Sequence, residues 1–99
     1  MPHMASHETV RVSSMTALAN LIRAARLEQG LTRDELANAT GLSPKFITHV
    51  ENGKPTAQFG KVLHLLAELG INLTAQSAVA ISEDSVHKAL NRRRSQHGR

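Results

Sequence analysis

The stretch GLSPKFITHVENGK, residues 41–54, concentrates hydrogen-bonding side chains in the middle of the chain. Lys45 and His49 are four residues apart, a spacing that places both on one face of a helix. Together with Thr48, they can donate hydrogen bonds to acceptor atoms of another molecule. The alternative interpretation is a solvated helix face that binds nothing, because such residues are common on helix surfaces.

The sequence lacks the side-chain sets typical of enzymes and metal sites. No nucleophile–base pair, carboxylate pair or glycine-rich phosphate loop is present, so we expect no enzymatic activity. His3 and His7 have a metal-like spacing, but they lie in a predicted flexible leader, residues 1–13. The sequence therefore predicts no metal and no other cofactor.

Composition favours one small domain in a reducing compartment. The chain has 99 residues and no cysteine, which removes disulfides and thiolate metal sites. No apolar run approaches the roughly 18–20 residues that cross a bilayer, so we expect a cytoplasmic protein without membrane contacts. The net charge of +4 belongs mainly to a basic tail, residues 81–99, whereas residues 32–56 balance three basic against three acidic side chains.

Apolar residues at helical spacing predict four helices, spanning residues 15–29, 33–39, 44 to about 52, and 57–69. A short fifth helix is permitted over residues 85–93. The predicted N-caps are side chains whose oxygen accepts an unpaired N–H group, namely Ser14, Thr32, Ser43 and Thr56. The predicted helix ends are glycines, namely Gly30, Gly41, Gly53 and Gly70.

A period of two follows the fourth helix. Ile71, Leu73 and Ala75 alternate with polar residues, which predicts a short half-buried strand within residues 71–80. Because no partner strand is evident in the chain, we expect this strand to pair with its copy across the two-fold axis of a homodimer. The alternative is an extended segment packed on the domain.

Helix two, the turn at Gly41 and helix three form a helix-turn-helix arrangement. The segment LTRDELANATGLSPKFITHVENGK resembles the XRE-type, phage-repressor-like family, with the resemblance covering residues 14–70. The segment GKPTAQFGKVLHLLAELGINL resembles HipB-type antitoxins, the DNA-binding partners of HipA-type kinase toxins. This resemblance implies a mainly α fold, a four- to five-helix repressor-like DNA-binding domain with a C-terminal strand that pairs across a dimer.

The resemblance also implies roles for individual residues, because the second helix of this motif lies in the major groove of DNA. The implied base contacts are Lys45, Phe46, Thr48 and His49. The implied phosphate contacts are Arg33, Ser43, Asn52 and Lys54. Arg26 and Glu51 are expected to form a structural ion pair between helices one and three. Phe46 has an alternative role as a partly exposed hydrophobe or dimer contact, and Ser43 as a cap.

These expectations combine into a function. We expect a homodimeric repressor of a palindromic double-stranded operator, acting as an antitoxin that autoregulates its operon and neutralises a kinase toxin. In a bacterial cell it would associate with the nucleoid when bound to DNA. The alternatives are a stand-alone XRE-family regulator, or a protein–protein adaptor that has lost DNA binding, which the neutral segment 32–56 favours. Arg92–Arg94 would reach phosphates or an acidic partner, or only increase solubility.

Overall fold

The computed structural model describes the backbone of residues 9–97 and the side chains of residues 9–91. This part of the chain forms five α-helices: α1 (Met15–Glu28), α2 (Arg33–Thr40), α3 (Pro44–Glu51), α4 (Phe59–Glu68) and α5 (Glu83–His97). Most of the predicted leader, including both of its histidines, lies outside the described residues. None of the described helices is both long and apolar enough to span a membrane.

The starts of α1 and α2 form as their sequences predict. The hydroxyl of Ser14 accepts a hydrogen bond from the N–H of Ala17 at 3.1 Å. Thr32 and Glu35 form a reciprocal capping box, in which each side chain accepts the other residue's backbone N–H, at 3.0 and 2.8 Å. These contacts fix where α2 begins, and therefore where the helix-turn-helix begins.

One apolar core joins the first four helices. Helix α3 packs against both α1 and α2, and α2 also packs against α4. The buried side chains that form this core are Leu18, Ile22, Leu36, Ala37, Ile47, Val50, Val62, Leu65, Leu66 and Leu69. Because α3 contributes only two of them, one of its faces is held by the core and the other is left open.

Helix α4 differs from its prediction at the N-terminus. It begins at Phe59, and its N-cap is Gln58 without a side-chain hydrogen bond, so Thr56 is not the cap. Phe59 and Leu63, expected on the apolar face, are 54% and 41% exposed, and the buried position between them and the C-terminus is Leu65. The inward face of α4 is set by its packing on α2, which periodicity alone does not define.

The predicted C-terminal strand is not found among the described residues. Residues 71–82 contain no regular secondary structure, and every described side chain from residue 72 to residue 91 is exposed. Ile71 alone of the three predicted strand residues packs against the core. A strand requires a neighbour with which to exchange backbone hydrogen bonds, and the described part of this single chain offers none. The alternative, an extended segment packed on the domain, is met only at Ile71.

Candidate nucleic-acid interface

The turn between α2 and α3 is fixed by one buried hydroxyl and one glycine. The Oγ1 atom of Thr40 donates to the carbonyl oxygen of Leu36 at 2.8 Å and accepts the N–H of Leu42 at 3.1 Å. Gly41 has a φ of +78°, a left-handed conformation that glycine adopts without steric cost. The path of the chain from α2 into α3 is therefore set locally.

The two faces of α3 have opposite environments. Ile47 and Val50 are completely buried, with 0% exposure. Lys45 is exposed, and Thr48 and His49 are half-buried. Because the core holds one side of a helix two turns long, the three polar side chains lie where another molecule can reach them. The structure thus brings together Lys45, Thr48 and His49, as expected from their spacing.

The polar residues that flank α3 lie at its two ends. The hydroxyl of Ser43 accepts the N–H of Phe46 at 3.0 Å, so Ser43 is the N-cap of the helix. Asn52 is the C-cap, and both Asn52 and Lys54 are exposed. All three therefore lie at the surface and close to the open face of α3.

The C-terminal end of α3 packs tightly against the beginning of α1. Gly53 has a φ of +78°, and the N–H of Lys54 then bonds back to the carbonyl oxygen of His49 at 3.0 Å, which closes the helix. A Cβ atom added to Gly53 would lie 3.4 Å from the hydroxyl of Thr16. A side chain at this position would therefore meet both backbone strain and close contact with α1.

A buried carboxylate joins three helices of the domain. Arg26 of α1 donates from Nε and Nη2 to the two carboxylate oxygens of Glu51, at 2.7 and 3.0 Å. Its Nη1 atom donates to the carbonyl oxygen of Leu31 at 2.8 Å. Arg33 of α2 donates from Nε to Oε1 of Glu51 at 2.9 Å. The Arg26–Glu51 pair was expected, and the second arginine on the same carboxylate was not.

This network shifts the pKa values of its buried members. Burial on its own would raise the pKa of Glu51, but hydrogen bonds from Arg26 and Arg33 and their positive charges outweigh it, so the pKa lies below its ordinary value. The hydrogen bond to Glu51 raises the pKa of Arg26, against the lowering effect of burial. All three groups are therefore charged at neutral pH.

The structure gives Arg33 a contact that the sequence did not indicate. Its side chain is 38% exposed, whereas that of Glu51 is completely covered. Part of the guanidinium therefore still faces solvent, although its Nε atom is used inside the protein. An arginine at the first position of α2 was interpreted only by its charge, because the proximity of the two helices depends on tertiary packing.

Phe46 lies apart from the three polar residues of the open face. Its side chain is half-buried and packs against the core. The ammonium group of Lys61 lies over the Phe46 ring, 5.7 Å from the centroid, within the range of a cation–π interaction. Of the roles considered for Phe46, its placement fits the partly exposed hydrophobe, and sequence reasoning missed its partner Lys61.

His64 belongs to the structure of the domain. Its Nε2 atom lies 2.8 Å from the carbonyl oxygen of Thr40, so the ring donates this hydrogen bond and ties α4 to the end of α2. Within the described residues, no group of three or more side chains is arranged to hold a metal ion.

Comparisons with known proteins agree with this arrangement. The helix-turn-helix family matches residues 22–76. An uncharacterised HTH-type transcriptional regulator of Sinorhizobium fredii is 44% identical over 63 residues, which cover 64% of this chain and 83% of the relative. The chain therefore belongs to the helix-turn-helix family, and its motif is of the XRE type.

Solved structures narrow the likeness within the family. A complex of HipB with the O4 20mer is 27% identical with a TM-score of 0.65, and the match covers 72% of this chain and 100% of that one. A HipA–HipB–O2–O3 complex is 25% identical with a TM-score of 0.66, over the same shares of the two chains. The fold of this protein is thus similar to that of HipB.

Proposed function

We propose that the protein is a sequence-specific, DNA-binding transcriptional repressor that places α3 in the major groove of its operator. The observation that carries the proposal is the two-sided environment of α3. Ile47 and Val50 are fully buried, and Lys45 and His49 lie on the accessible side. The major groove admits one α-helix and presents a distinct hydrogen-bonding pattern for each base pair.

Base recognition is assigned to the accessible side of α3. Lys45 donates to O6 or N7 of guanine, the acceptor atoms that lysine and arginine commonly bind. His49 donates from a ring nitrogen to a base acceptor, and Thr48 contacts the methyl group of thymine or bonds a base. Phe46 is left out of this set, since its half-buried ring packs against the core.

Phosphate contacts are assigned to the two ends of α3 and to the start of α2. Asn52 and Lys54 are exposed beyond the C-terminal end of the helix, and Ser43 caps its N-terminus. Arg33 contributes the exposed part of its guanidinium. Such contacts fix the orientation of the protein on the duplex but carry no sequence information.

The repressor acts as a homodimer in this proposal. Ile71, Leu73 and Ala75 form a strand only when a second copy supplies its neighbour, and Leu73 is 42% exposed in the single chain. Two copies would place their α3 helices about 34 Å apart, one turn of DNA, on a palindromic operator. Support comes from the unpaired backbone of this segment and from the likeness to HipB.

The more specific role that we propose is that of an antitoxin with a HipA-type kinase partner. It is supported by the similarity to HipB in both the O4 and the HipA–HipB–O2–O3 complexes. The second candidate is a stand-alone regulator with the same DNA chemistry. Co-purification of the protein from its own cells, with identification of any bound kinase by mass spectrometry, distinguishes the two roles.

The DNA-binding proposal is tested by selecting ligands from a random duplex library and measuring affinity by fluorescence anisotropy. The selected duplex should bind at least 10³-fold more tightly than a scrambled duplex, and both affinities should fall steeply between 50 and 200 mM salt. Lys45→Ala should reduce this preference, and Lys88→Ala, an exposed position on α5, should not. If no duplex is enriched, the protein is an adaptor, as the neutral segment 32–56 suggests.

A further inference from the structure

We infer that Lys61 of α4 is a DNA phosphate contact and that Phe46 is the residue that positions it. This inference rests on the proposed function, because it adds a cation and its support to the same interface. Neither role follows from the sequence, since Lys61 is 15 positions beyond Phe46 and lies on a different helix.

The geometry of the pair restricts the lysine. A lysine ammonium on a flexible four-carbon stem normally samples many positions. Here the ammonium lies over the face of the Phe46 ring, 5.7 Å from its centroid. The ring is itself held, because Phe46 is half-buried and packs against the core. Lys61 is therefore kept near one end of α3 before any DNA binds.

The location of the pair determines what the ammonium can reach. Phe46 is the third residue of α3 and directly follows Lys45, so the ammonium lies beside the turn of α3 that enters the groove. The major groove is about 12 Å wide, and phosphates line both of its edges. A cation beside the inserted helix, rather than on its leading face, meets a phosphate oxygen, which suits the compact charge of lysine.

Charge balance gives this position additional weight. Residues 32–56 carry three basic and three acidic side chains, so the helix-turn-helix segment has no net charge to attract DNA. Within that segment, Arg33 already binds the buried Glu51. Lys61 is outside the segment in sequence but next to α3 in space, and so it supplies a positive charge that the sequence segment lacks.

The first test is the variant Lys61→Gln, with Lys88→Gln on α5 as the matched control for the loss of one exposed lysine. Loss of one phosphate contact reduces the slope of log affinity against log salt by about 0.9. At 0.1 M salt this corresponds to roughly a five- to tenfold loss of affinity, equal for selected and scrambled duplexes. A Lys61→Gln variant with the wild-type slope, or with a slope no different from Lys88→Gln, overturns the inference.

The positioning role of Phe46 is tested with two substitutions. Phe46→Tyr keeps an aromatic face and should retain the wild-type salt slope. Phe46→Leu keeps apolar contact with the core but removes the ring, and should lose roughly two- to threefold in affinity together with part of the slope. In the Lys61→Gln background, Phe46→Leu should cause no further change in slope. An equal change in both backgrounds means that Phe46 does not act through Lys61.

The outcomes separate this inference from the proposed function. If the wild-type protein binds no duplex in a salt-dependent manner, the proposed function fails and the inference fails with it. If the wild-type protein binds with a steep salt slope and Lys61→Gln binds identically, only the role of Lys61 fails. Thermal unfolding of each variant, followed by circular dichroism, identifies any loss of affinity caused by unfolding.

Discussion

Two regions of the molecule differ in how their structure is determined. The helical region, residues 14–71, contains every buried apolar side chain of the described residues. The C-terminal arm, residues 72–97, has only exposed side chains as far as residue 91. Its large exposed apolar residues are Leu73, Val79, Ile81, Val86 and Leu90. The comparison teaches that the helical region is stabilised by its own chain, whereas the arm has no such core.

The difference is also visible in the ion pairs. In the helical region, the side chains of Arg26 and Glu51 are 8% and 0% exposed, and their atoms are 2.7 Å apart. In the arm, Lys88 and Asp84 are 77% and 76% exposed at 3.3 Å. Exposed pairs of this kind contribute little, because water and salt screen them. Substitutions in the two regions should therefore differ sharply in their effects on folding.

The largest expected effect is that of Glu51→Ala. It leaves the guanidinium of Arg26 buried without its carboxylate, and such a loss costs about 3–5 kcal/mol in the free energy of unfolding. Glu83→Ala, in the first turn of α5, should change that free energy by no more than about 0.5 kcal/mol. Urea unfolding at neutral pH measures both, and equal effects would contradict the contrast between the regions.

Acid should weaken the same network. The pKa of Glu51 lies below its ordinary value of 4.5, so the carboxylate stabilises the folded protein above that pH. This contribution is lost as pH falls below 4.5 and through the lower pKa of the folded state. Glu51→Gln should be less stable at neutral pH and should lack this part of the acid dependence. Chemical unfolding between pH 3 and pH 7 compares the two proteins, and parallel curves would exclude Glu51 as the source.

A charge in the arm should affect assembly and leave folding of the helical region unchanged. Leu73→Asp places a carboxylate in the proposed intermolecular strand and should weaken the dimer by at least about tenfold, or roughly 1.4 kcal/mol. Leu90→Asp, a matched change on α5, should leave the dimer intact. Sedimentation over a range of concentrations measures both. Dimers that are insensitive to Leu73→Asp would show that the strand is not the interface.

The smallest effects are those of two N-cap serines, one in each region. Ser43→Ala removes the hydroxyl that accepts the N–H of Phe46 and should cost about 1 kcal/mol of global stability. Ser82→Ala removes the hydroxyl that accepts the N–H of Ser85 in the arm, and should fray α5 without changing the unfolding of the helical region. Hydrogen exchange resolves the two. Similar global losses would mean that the arm contributes to the core.

The sequence predicted the parts of the structure that depend on local patterns. The caps at Ser14, Thr32 and Ser43 are confirmed because each involves neighbours three residues away. The buried positions Ile47 and Val50 follow from helical spacing, and the assignments of α1 to α3 are confirmed within one or two residues at each end.

The parts that were missed depend on tertiary contacts. The second arginine on Glu51 and the position of Lys61 over Phe46 each join separate helices, and nothing in their local sequence indicates the pairing. The predicted strand has no hydrogen-bonding neighbour among the described residues. The assignment of bases and phosphates to individual side chains stays a prediction, because it concerns a second molecule.

The most direct test of the central claim is the sequence preference of the double variant Lys45→Ala/His49→Ala. Affinity is measured at one salt concentration for a selected duplex and a scrambled duplex, with Lys88→Ala/His87→Ala in the arm as the matched control. If the open face of α3 recognises base edges, the preference should fall by about 10- to 100-fold or more for the double variant, at 1–3 kcal/mol per lost contact, and the control should keep it. An unchanged preference in a folded double variant would contradict the account.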